Sequence, residues 1–197
     1  MNSAAYYQML LQQIDPIILV GISHETDLKG WVEQRHRDFK PPLSASDSIN
    51  RADDFLSFIK TEVIPHIENK YAANPKDRGL IGYSLGGLFS AWVLKKEPKL
   101  FHKLGITSPS LWFGEGFLLK DEELINNIRT ATNLEVFISY GSLEGDDFIA
   151  YGTKLYESLK TNKNIQVTKV IFENENHSTA WVTTYNRPFM KINIKCY

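Results

Sequence analysis

Apolar residues in this chain come in short unbroken runs separated by longer stretches with helical spacing, and that alternation sets the first structural expectations. Runs rich in β-branched residues fall at 17–22 (IILVGI), 79–83 (GLIGY), 103–107 (KLGIT), 134–140 (LEVFISY) and 165–172 (IQVTKVIF). Each has the length of a strand. Between them, Phe55, Ile59 and Val63, then Leu85, Leu88, Phe89, Trp92 and Val93, then Phe148, Tyr151, Leu155 and Leu159 recur at helical intervals. Strands alternating with helices predict an α/β fold with a mainly parallel sheet and helices on both of its faces. Pro65 should kink or end its helix near Ile64, and Pro98 should close the helix begun at Leu85. The stretch from Ser23 to Asn50 shows no clear periodicity and is expected to be a long loop rimming the functional site.

No composition break or linker divides the 197 residues, which are expected to form one domain, 1–197. Lys and Arg total 22 against 23 Asp and Glu, a formal charge of −1 without basic runs. Neither nucleic acid nor a membrane surface is therefore an expected partner, and a small molecule is. Cys196 is the single cysteine, and the five histidines show no ligand-type spacing, so neither a disulfide nor a metal site is read. The first residues, MNSAAYYQMLLQQID, lack the basic start of a signal peptide, and IILVGI is too short to span a bilayer. A soluble cytoplasmic protein is the expectation.

Candidate chemistry starts at GYSLG, residues 82–86, where a predicted strand meets a predicted helix. Gly-x-Ser-x-Gly in that context reads as a nucleophile elbow, with Ser84 at a strained corner and small neighbours, Gly82 and Gly86, relieving the crowding. The backbone N–H of Leu85, at the helix start, would face a developing oxyanion, and Tyr83 beside the serine is a candidate for substrate contact. In this architecture an acid and then a histidine follow the serine along the chain. His177, on a polar loop just past the last strand, suits the base, whereas His102 precedes a strand and is expected to cap or face solvent. Three carboxylates follow the strand at 134–140: Glu144, Asp146 and Asp147. The turn position favours Glu144 as the acid, while the two aspartates suit the first turn of the next helix.

GYSLGGLFSAWVL, LGITSPSLWF, ISYGSLEGDD and ENENHSTAW, in that order, resemble the esterase D family of α/β hydrolases, which includes the ferric enterobactin esterases. The resemblance runs from IILVGI and RHRDFKPP to HSTAW. It implies Ser84 as nucleophile, His177 as base and Glu144 as acid, with no cofactor. It also places Trp112, in SPSLWF, either as a wall for the acyl or aromatic part of a substrate or as a buried aromatic under a loop, leaves Trp181 equally open, and implies an ion pair between Arg37 and Asp38. The implied activity is hydrolysis of a small-molecule ester, a siderophore lactone or a short acyl ester, through an acyl-enzyme. An acyltransferase and a truncated non-catalytic relative are the alternatives.

Two departures from the family change the expectation. The tail after Trp181 lacks the spacing of a closing helix, and the sequence begins at what reads as the first crossover helix. The strand that would precede it belongs between 17–22 and 79–83, so either those two runs pair directly or a second chain donates a strand in a homo-oligomer. The loop after that strand would supply the second oxyanion donor, and without it weak activity is expected.

Overall fold

In a computed structural model of the chain, which describes residues 17–24 and 27–186, four parallel strands form one sheet in the order β1-β2-β3-β4. They are β1 (Gly79–Tyr83), β2 (Lys103–Thr107), β3 (Leu134–Gly141) and β4 (Ile165–Phe172). The pairing sets Tyr83 opposite Thr107 and Thr107 opposite Ser139, so the carboxyl ends of the first three strands lie side by side. The residues that follow those ends meet there.

Helices α1 (Leu28–Phe39), α2 (Ala52–Phe58) and α3 (Ile64–Tyr71) precede the sheet. The strands are joined through α4 (Leu85–Lys96), then α5 (Glu122–Thr130), then α6 (Asp146–Lys160), and α7 (Ala180–Asn186) follows β4. Helix α4 is apolar almost all round, and residues 85–94 are buried, as befits a helix enclosed on every side. The pleat of β3 divides the core: Val136, Ile138 and Tyr140 pack with Leu88, Leu155 and Leu159 on one face, while Phe137 packs with Phe172 and Ala180 on the other. Helices thus cover both faces, and the α/β class holds. Among the described residues no helix is long and apolar enough to cross a membrane.

Four expectations need correction. Residues 17–22 form no strand: Ile18, Leu19, Val20 and Ile22 are 41–47% exposed, and the segment pairs with no described strand. β propensity alone does not hold a strand that has no partner for its backbone groups. The proposed direct pairing with β1 is therefore absent among the described residues. The stretch 23–50 contains α1, on which Leu28, Trp31 and Val32 are exposed, Asp38 is buried and Phe39 packs against the core. Its start is set by Asp27, whose carboxylate accepts the Gly30 N–H at 2.8 Å. Helix α5, which no expectation covered, starts the same way, with Asp121 accepting the Leu124 N–H at 3.1 Å.

Pro65 disturbs its helix near Ile64, as expected, without ending it. The π-helical turn Ile59–Val63 precedes it, with the Ile64 N–H reaching back to the Ile59 carbonyl. That wider turn makes room for the ring, which in an α-helix would meet the Thr61 carbonyl. The chain then continues as α3. The tail departs from expectation as well, since the chain after Trp181 continues in α7 as far as Asn186; the rest of the tail, Cys196 and the N-terminal 16 residues lie outside the described residues.

Candidate active site

Ser84 is the single residue between β1 and α4, held at φ 61 and ψ −117, a backbone state costly for any residue with a Cβ. The corner is fixed by backbone bonds, Ser84 N–H to the Thr107 carbonyl at 3.1 Å and Ser110 N–H to the Ser84 carbonyl at 3.1 Å. The demand for small neighbours is one-sided. A Cβ on Gly82 would lie 2.0 Å from the Gly86 carbonyl oxygen, whereas one on Gly86 would meet only Phe39 Cε2, at 4.0 Å. Gly87, outside the pentapeptide, is constrained too, since its Cβ would lie 2.7 Å from the Thr107 carbonyl oxygen.

His177 lies on the loop between β4 and α7, and its Nε2 is 3.0 Å from Ser84 Oγ. Its Nδ1 is 3.0 Å from Glu144 Oε2. The Glu144 side chain is fully enclosed, at 0% exposure, while that of His177 is 37% exposed. Asp146 and Asp147 are exposed in the first turn of α6, away from the imidazole. His102 sits beyond the opposite end of the sheet, its backbone N–H bonded to the Arg78 carbonyl at 2.9 Å ahead of β2. The chain order serine, acid, histidine thus brings together Ser84, Glu144 and His177 in one hydrogen-bonded row.

Two serines and three rings complete the surroundings. Ser108 donates its hydroxyl to Glu144 Oε1 at 2.6 Å, and the Gly141 N–H reaches the same oxygen at 2.8 Å. Ser110 Oγ stands 3.4 Å from Ser84 Oγ, a longer and weaker contact than that of His177. Tyr83 does not point its hydroxyl at open space: it donates to the His177 carbonyl at 2.7 Å, with the rings 5.1 Å apart. Phe148, read from spacing only as a helix residue, packs 4.6 Å from the imidazole, and Trp112 meets Phe148 edge-on at 6.3 Å. Trp112 is 43% exposed, so it is no buried aromatic, and Trp181 is exposed as well.

Helix α1 reaches the same corner from outside. Arg35 donates to the Tyr83 carbonyl at 3.2 Å. Arg37 and Asp38 form the expected pair, with contacts of 2.6 and 2.9 Å, and His24 Nε2 adds a third at 2.8 Å. Burial acts to raise the Asp38 carboxyl pKa, but the bonds from Arg37 and His24 outweigh it and hold it below the ordinary value. Among the described residues no group of three or more His, Cys, Asp or Glu is placed to hold a metal ion.

A hydroxyl, an imidazole and an enclosed carboxylate in sequence, at the carboxyl edge of a parallel sheet, is an arrangement able to attack a carbonyl. The sequence profile of the Esterase family matches residues 1–194. The chain belongs to the Esterase family. Among relatives, it is 31% identical over 142 residues to the ferri-bacillibactin esterase BesA of Bacillus subtilis strain 168, covering 66% of this chain and 49% of that one. It is 22% identical over 204 residues to the apo-salmochelin esterase of Escherichia coli O6:H1, covering 93% of this chain and 63% of that one. The crystal structure of the BES protein from Bacillus cereus superposes with a TM-score of 0.84 at 26% identity, covering 95% of this chain and 76% of that one. The family member described here thus spans about half the length of the Bacillus subtilis relative.

Proposed function

We propose that this chain is a serine carboxylic ester hydrolase that acts through an acyl-enzyme, with Ser84 as nucleophile, His177 as base and Glu144 as the acid that orients it. The observation that carries this is the unbroken row from Ser84 Oγ through His177, 3.0 Å at each nitrogen, to a carboxylate enclosed from water. Ser84 Oγ attacks the ester carbonyl as His177 Nε2 takes its proton. The charge that develops on the carbonyl oxygen faces the Leu85 N–H at the start of α4, where the helix dipole adds to the stabilisation. The tetrahedral species collapses, the ester C–O bond breaks, and His177 returns the proton to the leaving alcohol. Water, deprotonated by the same imidazole, then releases the acid and restores Ser84. Trp112 and Phe148 line the approach, so the acyl or aromatic part of a small-molecule ester rests against them. The relatives bearing names of siderophore esterases support a siderophore lactone as the substrate class, with short acyl esters as the simplest probes.

The test is turnover of a short-chain p-nitrophenyl ester by the parent protein and by Ser84→Ala and His177→Ala. Loss of a residue that works within such a unit costs on the order of 10⁶ in rate. An initial burst of p-nitrophenol from the parent and none from a folded Ser84→Ala protein is the expected result. A folded Ser84→Ala protein that hydrolyses the ester at the parent rate overturns the proposal.

A further inference from the structure

The two oxygens of Glu144 divide their partners. Oε2 meets His177 Nδ1 at 3.0 Å, while Oε1 receives the Ser108 hydroxyl at 2.6 Å and the Gly141 N–H at 2.8 Å. The Ser108 contact is at the short end of the range for a hydroxyl hydrogen bond. Both ends of it are buried, with Ser108 at 0% exposure and the Glu144 side chain likewise at 0%. Ser108 follows β2 and is held at φ 38, a left-handed state in which a serine is strained. Its N–H is tied to the Ser139 carbonyl at 2.6 Å, and two residues later Ser110 is tied to the Ser84 carbonyl at 3.1 Å. Strain of this kind persists where the surrounding structure enforces it, and here it aims one hydroxyl at one carboxylate oxygen.

We infer that Ser108 is a positioning residue: it holds the Glu144 carboxylate in the rotation that leaves Oε2 for His177 alone. A carboxylate pinned by the Gly141 N–H at one point can still turn about that contact, and the second donor on the same oxygen removes that freedom. The role is indirect, since Ser108 touches neither the ester nor the imidazole, and it rests on the serine-hydrolase proposal above. Because the Gly141 N–H remains in its absence, losing the hydroxyl should cost about 10-fold in kcat, in line with the loss of other groups that orient a functional side chain.

Two substitutions separate positioning from folding. Ser108→Gly removes the hydroxyl and relieves the left-handed backbone, whereas Ser108→Ala removes it and keeps the strain, so their stabilities should move apart. The expected result is the same fall of about 10-fold in kcat for both, with KM within about 2-fold of the parent. In the same samples the proton resonance of His177 Nδ1–H should move upfield or broaden relative to the parent, a readout that needs no substrate. A Ser108→Gly protein with parental kcat and an unchanged Nδ1–H resonance overturns the inference, and so does activity that follows stability across the two variants. Ser84→Ala run alongside distinguishes the failures: if it is folded and still active the triad falls, and if it is inactive while Ser108→Gly is fully active only the role of Ser108 falls.

Discussion

At the carboxyl edge of the sheet, polar side chains are enclosed and strained backbone is tolerated; on the flank formed by residues 17–24 and α1, apolar side chains face outward and the backbone is relaxed. Thr107, Ser108, Ser110, Ser139 and Glu144 are all at or below 9% exposure at that edge. Ser84 and Ser108 both carry positive φ there. On the flank, Leu28 is 78% exposed and Ile18 47%. Burial by itself would favour the reverse, since enclosing an unpaired polar group costs roughly 1–3 kcal/mol and exposing a leucine forfeits a similar amount. The edge escapes the cost because its polar atoms have named partners, and the strain there holds those partners in line. On the flank the buried polar contacts are made on the inner side, by Arg35 to the Tyr83 carbonyl and by Asp38 to Arg37 and His24.

The largest expected effect tests whether the enclosed edge is organised around Glu144. Replacing it with Gln keeps the shape but removes the charge proposed to orient the imidazole, and acid loss in comparable triads lowers kcat by roughly 10⁴, or about 5 kcal/mol. Asp146→Asn and Asp147→Asn, on exposed positions of the α6 start, should change kcat by less than about 3-fold. Steady-state kinetics on one ester for all three variants checks the ranking. If an aspartate variant suffers most, the edge is organised around a different carboxylate.

Much of this edge was legible in the sequence, because its strands coincide with short runs rich in β-branched residues, and the two central ones, β2 and β3, are buried on both faces. β1, β2 and β4 begin and end where those runs do, and β3 extends one residue further, to Gly141. Ser84, Glu144 and His177 were legible for a related reason: each follows a strand end, and chain order alone ranks such positions. Ser108 and Ser110 were not singled out, since their importance comes from the register that sets β2 between β1 and β3, which no local pattern carries. Phe148 was visible only as one member of a helical stripe. The flank misled for the opposite reason. IILVGI has strand composition without a described neighbour, and α1 turns its charged Arg35 and Asp38 inward, so the usual apolar periodicity does not mark its buried side.

A smaller effect separates the two glycines of the elbow. Gly82→Ala places a methyl 2.0 Å from the Gly86 carbonyl oxygen and 2.8 Å from Ser90 Oγ, which only a backbone shift relieves. Overpacking against backbone should cost about 3 kcal/mol or more and displace Ser84 along with it. Gly86→Ala meets nothing closer than 4.0 Å, and at a helical position the change should stabilise by about 0.5–1 kcal/mol. Urea unfolding of both variants measures the difference. Equal losses in the two would mean that the corner is crowded from both sides in solution.

The smallest expected effect sharpens the other half of the comparison, on α1. Leu28 opens that helix directly after its cap Asp27, is 78% exposed, and the first turn carries no acidic residue. Leu28→Glu removes an apolar side chain that has little burial to lose and adds a negative charge where the helix dipole welcomes one, worth about 0.3–1 kcal/mol at low ionic strength. Glutamate also propagates a helix about as well as leucine, so intrinsic propensity does not oppose the change. The expected outcome is a urea midpoint equal to the parent or slightly higher, with the gain shrinking as salt is added, and unchanged ester turnover because Leu28 lies outside the row of Ser84, His177 and Glu144. Should Leu28→Glu instead lower stability by more than about 1 kcal/mol, the residue is packed against something in solution, and the flank would obey the same rule of burial as the core.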